Sequence, residues 1–307
     1  MTLAVPLAIT GATGFVGQMV LDNLQASGTQ VRALTRRSQA SDNSVHWVSG
    51  TLADEAALAE LVSGTSAVIH IAGLTHTPDP EQFEAVNVAG TANVIAACEK
   101  AKVKRLVVVS SLAAREPQLS AYGASKLAAE ELVRASKLDW TIVRPPAVYG
   151  PRDTEIFELF RSAKWGFVPL PPRGATSLIH VADLADLLVQ LVEGEPALCR
   201  KKLFEPDDGR IGGWSHQEMA QAIGKSVGAR VYAPSLPQWL LSFAAGLDRV
   251  VRGDRAKLTA DRVGYMCHPN WVARSSHAVP KPLWAPQISS SEGLAQTAQW
   301  YRQAGWL

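Results

Sequence analysis

The sequence has few cysteines and lacks a pattern that would direct the chain across a membrane. Its three cysteines, Cys98, Cys199 and Cys267, lie far apart without CxxC spacing, which argues against a disulfide framework and predicts reduced thiols. The first residues lack the basic segment and the cleavage pattern of a secretory signal. We therefore expect a cytoplasmic protein.

Long blocks of one charge and long apolar runs are also missing. Thirty basic residues against twenty-eight acidic ones give a formal charge of +2, so no nucleic-acid partner is expected. The most apolar later stretch, "LPQWLLSFAAGL", is shorter than the ~20 residues of a spanning helix, so no membrane partner is expected either. His70 and His268 belong to no metal-ligand spacing, and no metal is expected. A small-molecule substrate is the remaining expectation.

From the start to about residue 150, apolar runs alternate with segments of helical periodicity. The runs are rich in valine and isoleucine and show little polar alternation, as strands buried on both faces do. Repeated β-α units of this kind predict an α/β fold with a doubly wound parallel sheet. The predicted strands are "PLAIT", "QVRALT", "VHWVSG", "AVIHIAG", "RLVVVSS" and "WTIVRPPAVYG".

A glycine-rich loop, "TGATGFVG", follows the first predicted strand and opens a predicted helix. Gly11 would permit the tight turn, Gly14 would let a pyrophosphate approach the backbone, and Gly17 would let the helix pack on the strand. The amides of Phe15 and Val16 would face the phosphates at the positive helix end. The pattern predicts a dinucleotide site, and a turn without a ligand is the alternative.

The second predicted strand ends in two arginines, "ALTRR". An NAD-specific site commonly places Asp or Glu there to accept from the ribose hydroxyls. Arg36, aided by Arg37, would instead form charge-assisted hydrogen bonds to a 2′-phosphate. This favours NADP as the cofactor, with NAD as the alternative, and a solvated basic pair is the alternative without a ligand.

After residue 150 the β-α regularity weakens and prolines gather in irregular connections. Residues 1–150 are therefore predicted to form a Rossmann dinucleotide-binding domain. Residues 151–307 are predicted to form mainly a smaller substrate-binding lobe, with about 174–193 returning to the Rossmann core.

The segment "YGASK" places Lys126 one helical turn after Tyr122, on the same face. An ammonium ~4 Å from a phenol contributes about 4 kcal/mol at an effective dielectric of ~20, which would bring the pKa of Tyr122 into the range of acid-base catalysis. The preceding strand ends at the sheet edge where the crevice of an open parallel sheet lies. Ser110 and Ser111 would emerge there, either to hold a substrate carbonyl or to cap a turn.

Seven segments between residues 10 and 187 give the chain a specific resemblance. It resembles the extended or atypical short-chain dehydrogenases/reductases of the NAD-dependent epimerase/dehydratase superfamily. The resemblance implies that Ser111, Tyr122 and Lys126 form a catalytic triad, and that a homodimer forms through the two helices flanking the active site. The matching segments are "TGATGFVG", "VIHIAG", "VNVAGT", "VVVSS", "YGASK", "RPPAVYGP" and "IHVADLA". The residues implied to line the cofactor are Thr51, Leu52, Ala72, Gly73, Asn87, Pro145 and Val148.

Two positions bear on the substrate. Sugar-nucleotide epimerases of this superfamily commonly have Asn where this chain has Ala147 and Arg where it has Thr176, and both serve the substrate diphosphate. Their replacement favours the branch resembling dihydroflavonol reductases and hydroxysteroid dehydrogenases. We expect an NAD(P)-dependent oxidoreductase that transfers hydride between NADP(H) and a ketone or alcohol. A nucleotide-sugar epimerase or dehydratase, and a non-catalytic NAD(P)-binding sensor or assembly subunit, are the alternatives.

Several aromatic side chains of the second half would suit an apolar substrate. Aromatic residues at such intervals more often fill a core than a ligand site, and a core role is the stronger alternative. These residues are Trp165, Phe167, Trp214 and Trp239.

Overall fold

The structure is a computed structural model that describes residues 5–40, 43–253, 256 and 258–307. It divides into two units, and each is built from separated stretches of the chain. Unit 1 comprises the described residues up to Arg144, together with Leu184–Phe204 and Val279–Ala285. Unit 2 comprises Pro145–Asp183, the described residues of Glu205–Ala278, and Pro286–Leu307.

Twelve strands are defined in the described part of the chain. In chain order they are β1 (Leu7–Thr10), β2 (Val31–Thr35), β3 (Val45–Ser49), β4 (Ala67–His70), β5 (Arg105–Val109), β6 (Asp139–Val143), β7 (Ala147–Tyr149), β8 (Ala175–Thr176), β9 (Leu178–His180), β10 (Lys202–Phe204), β11 (Trp214–Ser215) and β12 (Asn270–Trp271).

The same residues define twelve α-helical segments. A π-helical turn, Glu84–Ala89, joins the third to the fourth. None of the described helices is both long and apolar enough to cross a membrane. The helical segments are α1 (Phe15–Ala26), α2 (Glu55–Val62), α3 (Glu81–Phe83), α4 (Gly90–Ala101), α5 (Ala121–Ala135), α6 (Phe157–Lys164), α7 (Val181–Glu193), α8 (Pro196–Cys199), α9 (His216–Val227), α10 (Gln238–Arg252), α11 (Ala260–Met266) and α12 (Ser290–Gln303).

Unit 1 is organised around a seven-stranded parallel sheet of order β10-β6-β5-β4-β1-β2-β3. Strands β1, β4 and β5 are buried along their whole length, as expected of strands covered by helices on both faces. The strand order reverses between β1 and β4, which is where ligands bind in open α/β sheets. The predicted α/β fold with a doubly wound parallel sheet is confirmed.

Unit 2 contains short strands and helices around a separate core. Strands β7 and β9 form a parallel pair, and β8 lies between β11 and β12 in a three-stranded sheet. Its core includes the buried side chains of Tyr149, Phe160 and Tyr301. Assignment of this unit to substrate binding stays a prediction.

The four aromatic residues noted in the second half differ in their environment. Trp214 is buried, and its indole Nε1 donates to an Asp208 carboxylate oxygen at 3.0 Å, so a core role is confirmed for it. Trp165, Phe167 and Trp239 are exposed, with Trp165 at 84%. A core role is therefore wrong for these three.

The glycine loop between β1 and α1 is shaped by close backbone contacts. Gly11 has φ of +77°, and a Cβ there would lie 2.6 Å from the Ala72 amide nitrogen. A Cβ at Gly17 would lie 2.1 Å from the Gly11 carbonyl oxygen and 2.7 Å from Ala12 Cα. Any side chain at either position would push the loop away from its neighbours.

This packing predicts opposite outcomes for two helical glycines. Gly17→Ala should lower the free energy of unfolding by about 1–3 kcal/mol or more, because its methyl overlaps backbone atoms that cannot rotate away. Gly246→Ala in α10 is the control, because a Cβ there meets no heavy atom within 4 Å and the substitution should stabilise by about 0.5–1 kcal/mol. Thermal unfolding of the two variants measures the difference, and equal melting temperatures would contradict the close contact.

Candidate functional site

The N-terminus of α1 carries amides that no side chain satisfies by capping. Its N-cap, Gly14, makes no side-chain hydrogen bond, and the first turn contains no acidic residue. Phe15 and Val16 lie in that turn, directly after the cradle formed at Gly11 and Gly17. A bare helix N-terminus beside a loop without side chains fits a pyrophosphate, because both the amides and the helix dipole attract negative charge. The residues of unit 1 therefore fit a dinucleotide.

The end of β2 presents the two arginines. Arg36 and Arg37 are exposed and directly follow Thr35, the last residue of the strand. The Thr35 hydroxyl accepts from the Arg37 amide at 3.2 Å and donates to the Arg37 carbonyl oxygen at 2.7 Å, which fixes the turn. The two cationic side chains thus lie at the carboxyl end of a strand next to β1.

The loop after β3 contains Thr51 and Leu52. Thr51 is exposed, and its hydroxyl accepts from the Ala53 amide at 3.2 Å. The carbonyl oxygen of Leu52 accepts from Asn93 Nδ2 at 2.9 Å, which attaches this loop to α4.

Asn87 in the π-helical turn holds the loop after β4. Its side-chain oxygen accepts from the Leu74 amide at 2.7 Å, and its nitrogen donates to the Leu74 carbonyl oxygen at 3.0 Å. The same nitrogen donates to Ser125 Oγ of α5 at 2.9 Å. Asn87 therefore joins the Ala72–Gly73 segment to the helix that carries Tyr122.

Lys126 is a residue of α5, and its side chain reaches the carboxyl end of β5. Its ammonium donates to the Val109 carbonyl oxygen at 2.8 Å, and a Cβ at Gly73 would lie 3.6 Å from Nζ. Burial lowers the pKa of Lys126 to about 8, and the negative charge of Glu130 opposes that shift. The structure thus brings Lys126, Asn87 and Gly73 together.

Tyr122 is buried in the first turn of α5, beside Phe83 at a ring-centroid distance of 5.9 Å. The next residue, Gly123, packs on the turn that follows Ser111, since a Cβ at Gly123 would lie 2.7 Å from the Ala113 carbonyl oxygen. The chain segment carrying Ser111 is therefore adjacent to the one carrying Tyr122.

The two serines after β5 have different partners. Ser111 Oγ accepts from the Ala113 amide at 3.1 Å and so caps a short turn. Capping of a turn was one of the two roles that the sequence left open for this serine. A hydroxyl that accepts one bond still has a proton to donate. Ser110 is buried and donates its proton to a Glu130 carboxylate oxygen at 2.5 Å, which commits it to a structural bond.

Glu130 was not singled out from the sequence. It is buried, and its carboxylate accepts from Arg144 Nε and Nη2, both at 2.7 Å, and from Arg134 Nη2 at 2.9 Å. A buried carboxylate needs such bidentate pairing to offset its desolvation. Its position four residues after Lys126 was the only sequence signal of its role.

The hydrogen-bonding role of His70 was also not predicted, since the sequence indicated only that this residue belongs to no metal-ligand spacing. Thr10 Oγ1 lies 2.6 Å from His70 Nδ1, and His70 Nε2 lies 3.0 Å from Thr91 Oγ1, whose hydroxyl donates to the Asn87 carbonyl oxygen. Because the Thr91 proton is used in that bond, Nε2 carries the histidine proton and Nδ1 accepts from Thr10.

Burial and the nearby Lys126 charge lower the pKa of His70 to about 3, which keeps the ring neutral. The chain of bonds crosses from β1 to β4, at the reversal of strand order. His70 therefore fixes the two strand ends between which a dinucleotide would lie.

Two predicted cofactor contacts, Pro145 and Val148, belong to unit 2. Val148 lies in β7, paired with Ile179 of β9. Their contact with a cofactor stays a prediction.

Comparison with known proteins gives the chain its family. The sequence model of a family described as NAD(P)H-binding matches residues 11–195. A ceramide reductase from Caulobacter vibrioides is 36% identical over 315 aligned positions, covering 98% of this chain and 96% of its own. A UDP-glucose 4-epimerase from Vibrio cholerae is 26% identical, covering 97% and 96%.

A solved structure supports the fold. MoeE5 in complex with UDP-glucose and NAD superposes with a TM-score of 0.73 at 23% identity, covering 97% of this chain and 99% of that one. At this identity the likeness concerns the fold alone. Together with the matched family and the near full-length relatives, the parallel sheet and its glycine loop show that the chain belongs to the NAD(P)H-binding family of extended short-chain dehydrogenases/reductases and NAD-dependent epimerases/dehydratases.

Proposed function

We propose that the chain is an NADP(H)-dependent oxidoreductase acting on a ketone or alcohol of a lipid-like substrate. The observation that carries the proposal is the assembly at the end of β5, where buried Lys126 and Tyr122 share one face of α5 and the turn after Ser111 packs against that helix. The near full-length relative named ceramide reductase supports both the reaction class and the substrate class.

The residues that would hold the cofactor are those already described in unit 1. The amides of Phe15 and Val16 would receive the pyrophosphate, and Arg36 with Arg37 would receive the 2′-phosphate that distinguishes NADP from NAD. NADPH, when bound, supplies the hydride. Lys126, a residue of α5 whose ammonium lies at the end of β5, would hold the nicotinamide ribose.

The protein side chains manage the proton and the developing charge. In the reducing direction Tyr122 gives its phenolic proton to the substrate oxygen, and Ser111 donates a hydrogen bond to the same oxygen. The positive charge of Lys126 stabilises the tyrosine oxyanion left behind. Glu130 and Arg144 hold the end of β5 and α5 in place through Ser110.

A nucleotide-sugar epimerase is the second candidate, favoured by the Vibrio cholerae relative. The side chains of Ala147 and Thr176 offer neither an amide group nor a charge to a diphosphate, and this weighs against the epimerase. A non-catalytic sensor would not need the Tyr122–Lys126 pair. A cytoplasmic location and a homodimer stay predictions.

The cofactor assignment is tested at Arg36. Arg36→Ala should weaken NADP(H) by about 1.5–3 kcal/mol and leave NAD(H) nearly unchanged, because only the former brings a phosphate to this side chain. Lys104→Ala is the matched control, since it removes one exposed cation just before β5, at the amino ends of the parallel strands, whereas Arg36 lies at their carboxyl ends. Calorimetric titration of both cofactors measures the effect, and equal wild-type affinities would remove Arg36 from the argument.

The substrate class is tested by a screen. With NADPH present, long-chain amphipathic ketones should be reduced, whereas UDP-glucose should bind weakly because the diphosphate anchors are missing. Cofactor oxidation and thermal shift report turnover and binding separately. A saturable complex with UDP-glucose of micromolar affinity would contradict the proposed oxidoreductase function and favour the epimerase.

The catalytic roles are tested by three substitutions. Tyr122→Phe should lower turnover by about 10²–10⁴ with cofactor affinity intact, because it removes only the transferable proton. Ser111→Ala should also lower turnover alone, through one lost hydrogen bond to the oxyanion. Lys126→Met should lower turnover and also weaken cofactor binding, since this side chain both stabilises the tyrosine oxyanion and would hold the nicotinamide ribose. Near-normal turnover by Tyr122→Phe would assign the proton to another donor.

A further inference from the structure

Helix α10 in unit 2 has two separate apolar faces. One face, with Leu241 and Ala245, is buried against Val263 of α11. The other face is exposed, although it consists of large apolar side chains. The exposed fractions are 71% for Trp239, 62% for Phe243, 51% for Leu247, 84% for Val250 and 79% for Val251.

The spacing of the exposed residues places them on one stripe. They follow Trp239 by four, eight, eleven and twelve positions, which is the repeat of one side of an α-helix. At ~1.5 Å per residue the stripe is about 18 Å long. Scattered apolar residues on a protein surface need no partner, but a continuous stripe marks an interaction site. We call this set, Trp239, Phe243, Leu247, Val250 and Val251, the α10 stripe.

The charges on α10 define the chemistry of the partner. Arg249 and Arg252 lie in its last turn, and the sole acidic residue of the helix, Asp248, pairs with Arg252 at 3.2 Å and accepts from the Leu258 amide. The side chains of the helix therefore sum to a net charge of +1, with Arg252 in the ion pair and Arg249 as the excess cation in the turn that also carries Val250 and Val251. An apolar stripe on a helix with an excess arginine in its last turn matches a surface of anionic lipids, in which that arginine meets the headgroups.

The size of the α10 stripe favours a lipid surface over a second copy of the chain as its binding partner. A stable protein interface needs about 20–30 residues from each partner, whereas the stripe offers five on one helix. An interfacial helix needs only to place such a stripe at the boundary between headgroups and acyl chains.

We propose that α10 docks the protein on an anionic membrane surface, with the α10 stripe in the lipid and Arg249 at the headgroups. This replaces the expectation of no membrane partner, which considered spanning segments. The further step, that a lipid-like substrate is drawn from that surface, rests on the proposed function.

The test is flotation of the full chain with vesicles, in the absence of cofactor and substrate. Wild type should float with phosphatidylcholine vesicles that contain phosphatidylglycerol, less with phosphatidylcholine alone, and less at high salt. The double variant Phe243→Glu/Leu247→Glu should bind about a hundredfold more weakly, because each of the two lost apolar contacts contributes about tenfold. Ile211→Glu is the matched control, since Ile211 is fully exposed elsewhere in unit 2 and its replacement should leave flotation unchanged.

Further measurements keep the outcomes distinct. Turnover of a water-soluble ketone should be the same in the double variant and wild type. If the charged variant does not fold, the milder double variant Val250→Ser/Val251→Ser replaces it in the flotation assay. Failure of wild type to float, or an equal loss in Ile211→Glu, overturns the docking proposal. A wild-type dimer that the α10 variants dissociate, seen by light scattering, assigns the stripe to a second copy and also overturns it. Lack of any ketone turnover would instead reject the proposed function and leave vesicle binding standing.

Discussion

The buried carboxylate of Glu130 is the constraint on which the candidate site depends. Its carboxylate bonds the Ser110 hydroxyl and the Arg144 guanidinium, and Lys126 lies one helical turn earlier, so the residues that directly follow β5 and β6 are tied to α5 by one charge. Removing either charged partner of a buried pair leaves the other without compensation, at a cost of about 3–5 kcal/mol. The geometry around Lys126 is therefore fixed by electrostatics as well as by packing.

Much of the sheet was predictable because its strands are continuous apolar runs, and buried parallel strands need that composition. β10 was not predicted, since its three residues begin with an exposed lysine and carry no periodic signal. The contribution of Val279–Ala285 to unit 1 was equally hidden, because a segment without regular structure is placed only by its tertiary contacts. The exposed face of α10 could not be foreseen, since composition shows that a helix is apolar and not which side is covered.

The residues of the candidate site also fall into those that the sequence predicted and those that it did not. Motifs that are local in sequence, such as the glycine loop and the Tyr122–Lys126 pair, predicted groups that the structure places at the carboxyl edge of the sheet. Bonds between distant residues were missed: His70 meets Thr10 across 60 positions, and Glu130 meets Arg144 from another element. The two serines show what sequence position alone leaves open, because both directly follow β5 and only their hydrogen-bond partners distinguish Ser110 from Ser111.

The interleaved construction of unit 1 affects how the chain is made. Trp284 Nε1 donates to Asp186 at 3.1 Å within this unit, and β10 covers the outer edge of β6. On a ribosome, β6 emerges long before β10, so the nascent sheet presents an uncovered strand edge that other chains can pair with. The last described contribution to unit 1, at Val279–Ala285, emerges later than β10. The seven-stranded sheet is therefore complete only once β10 has emerged, and a chaperone that covers the edge of β6 has the interval between these two strands in which to act.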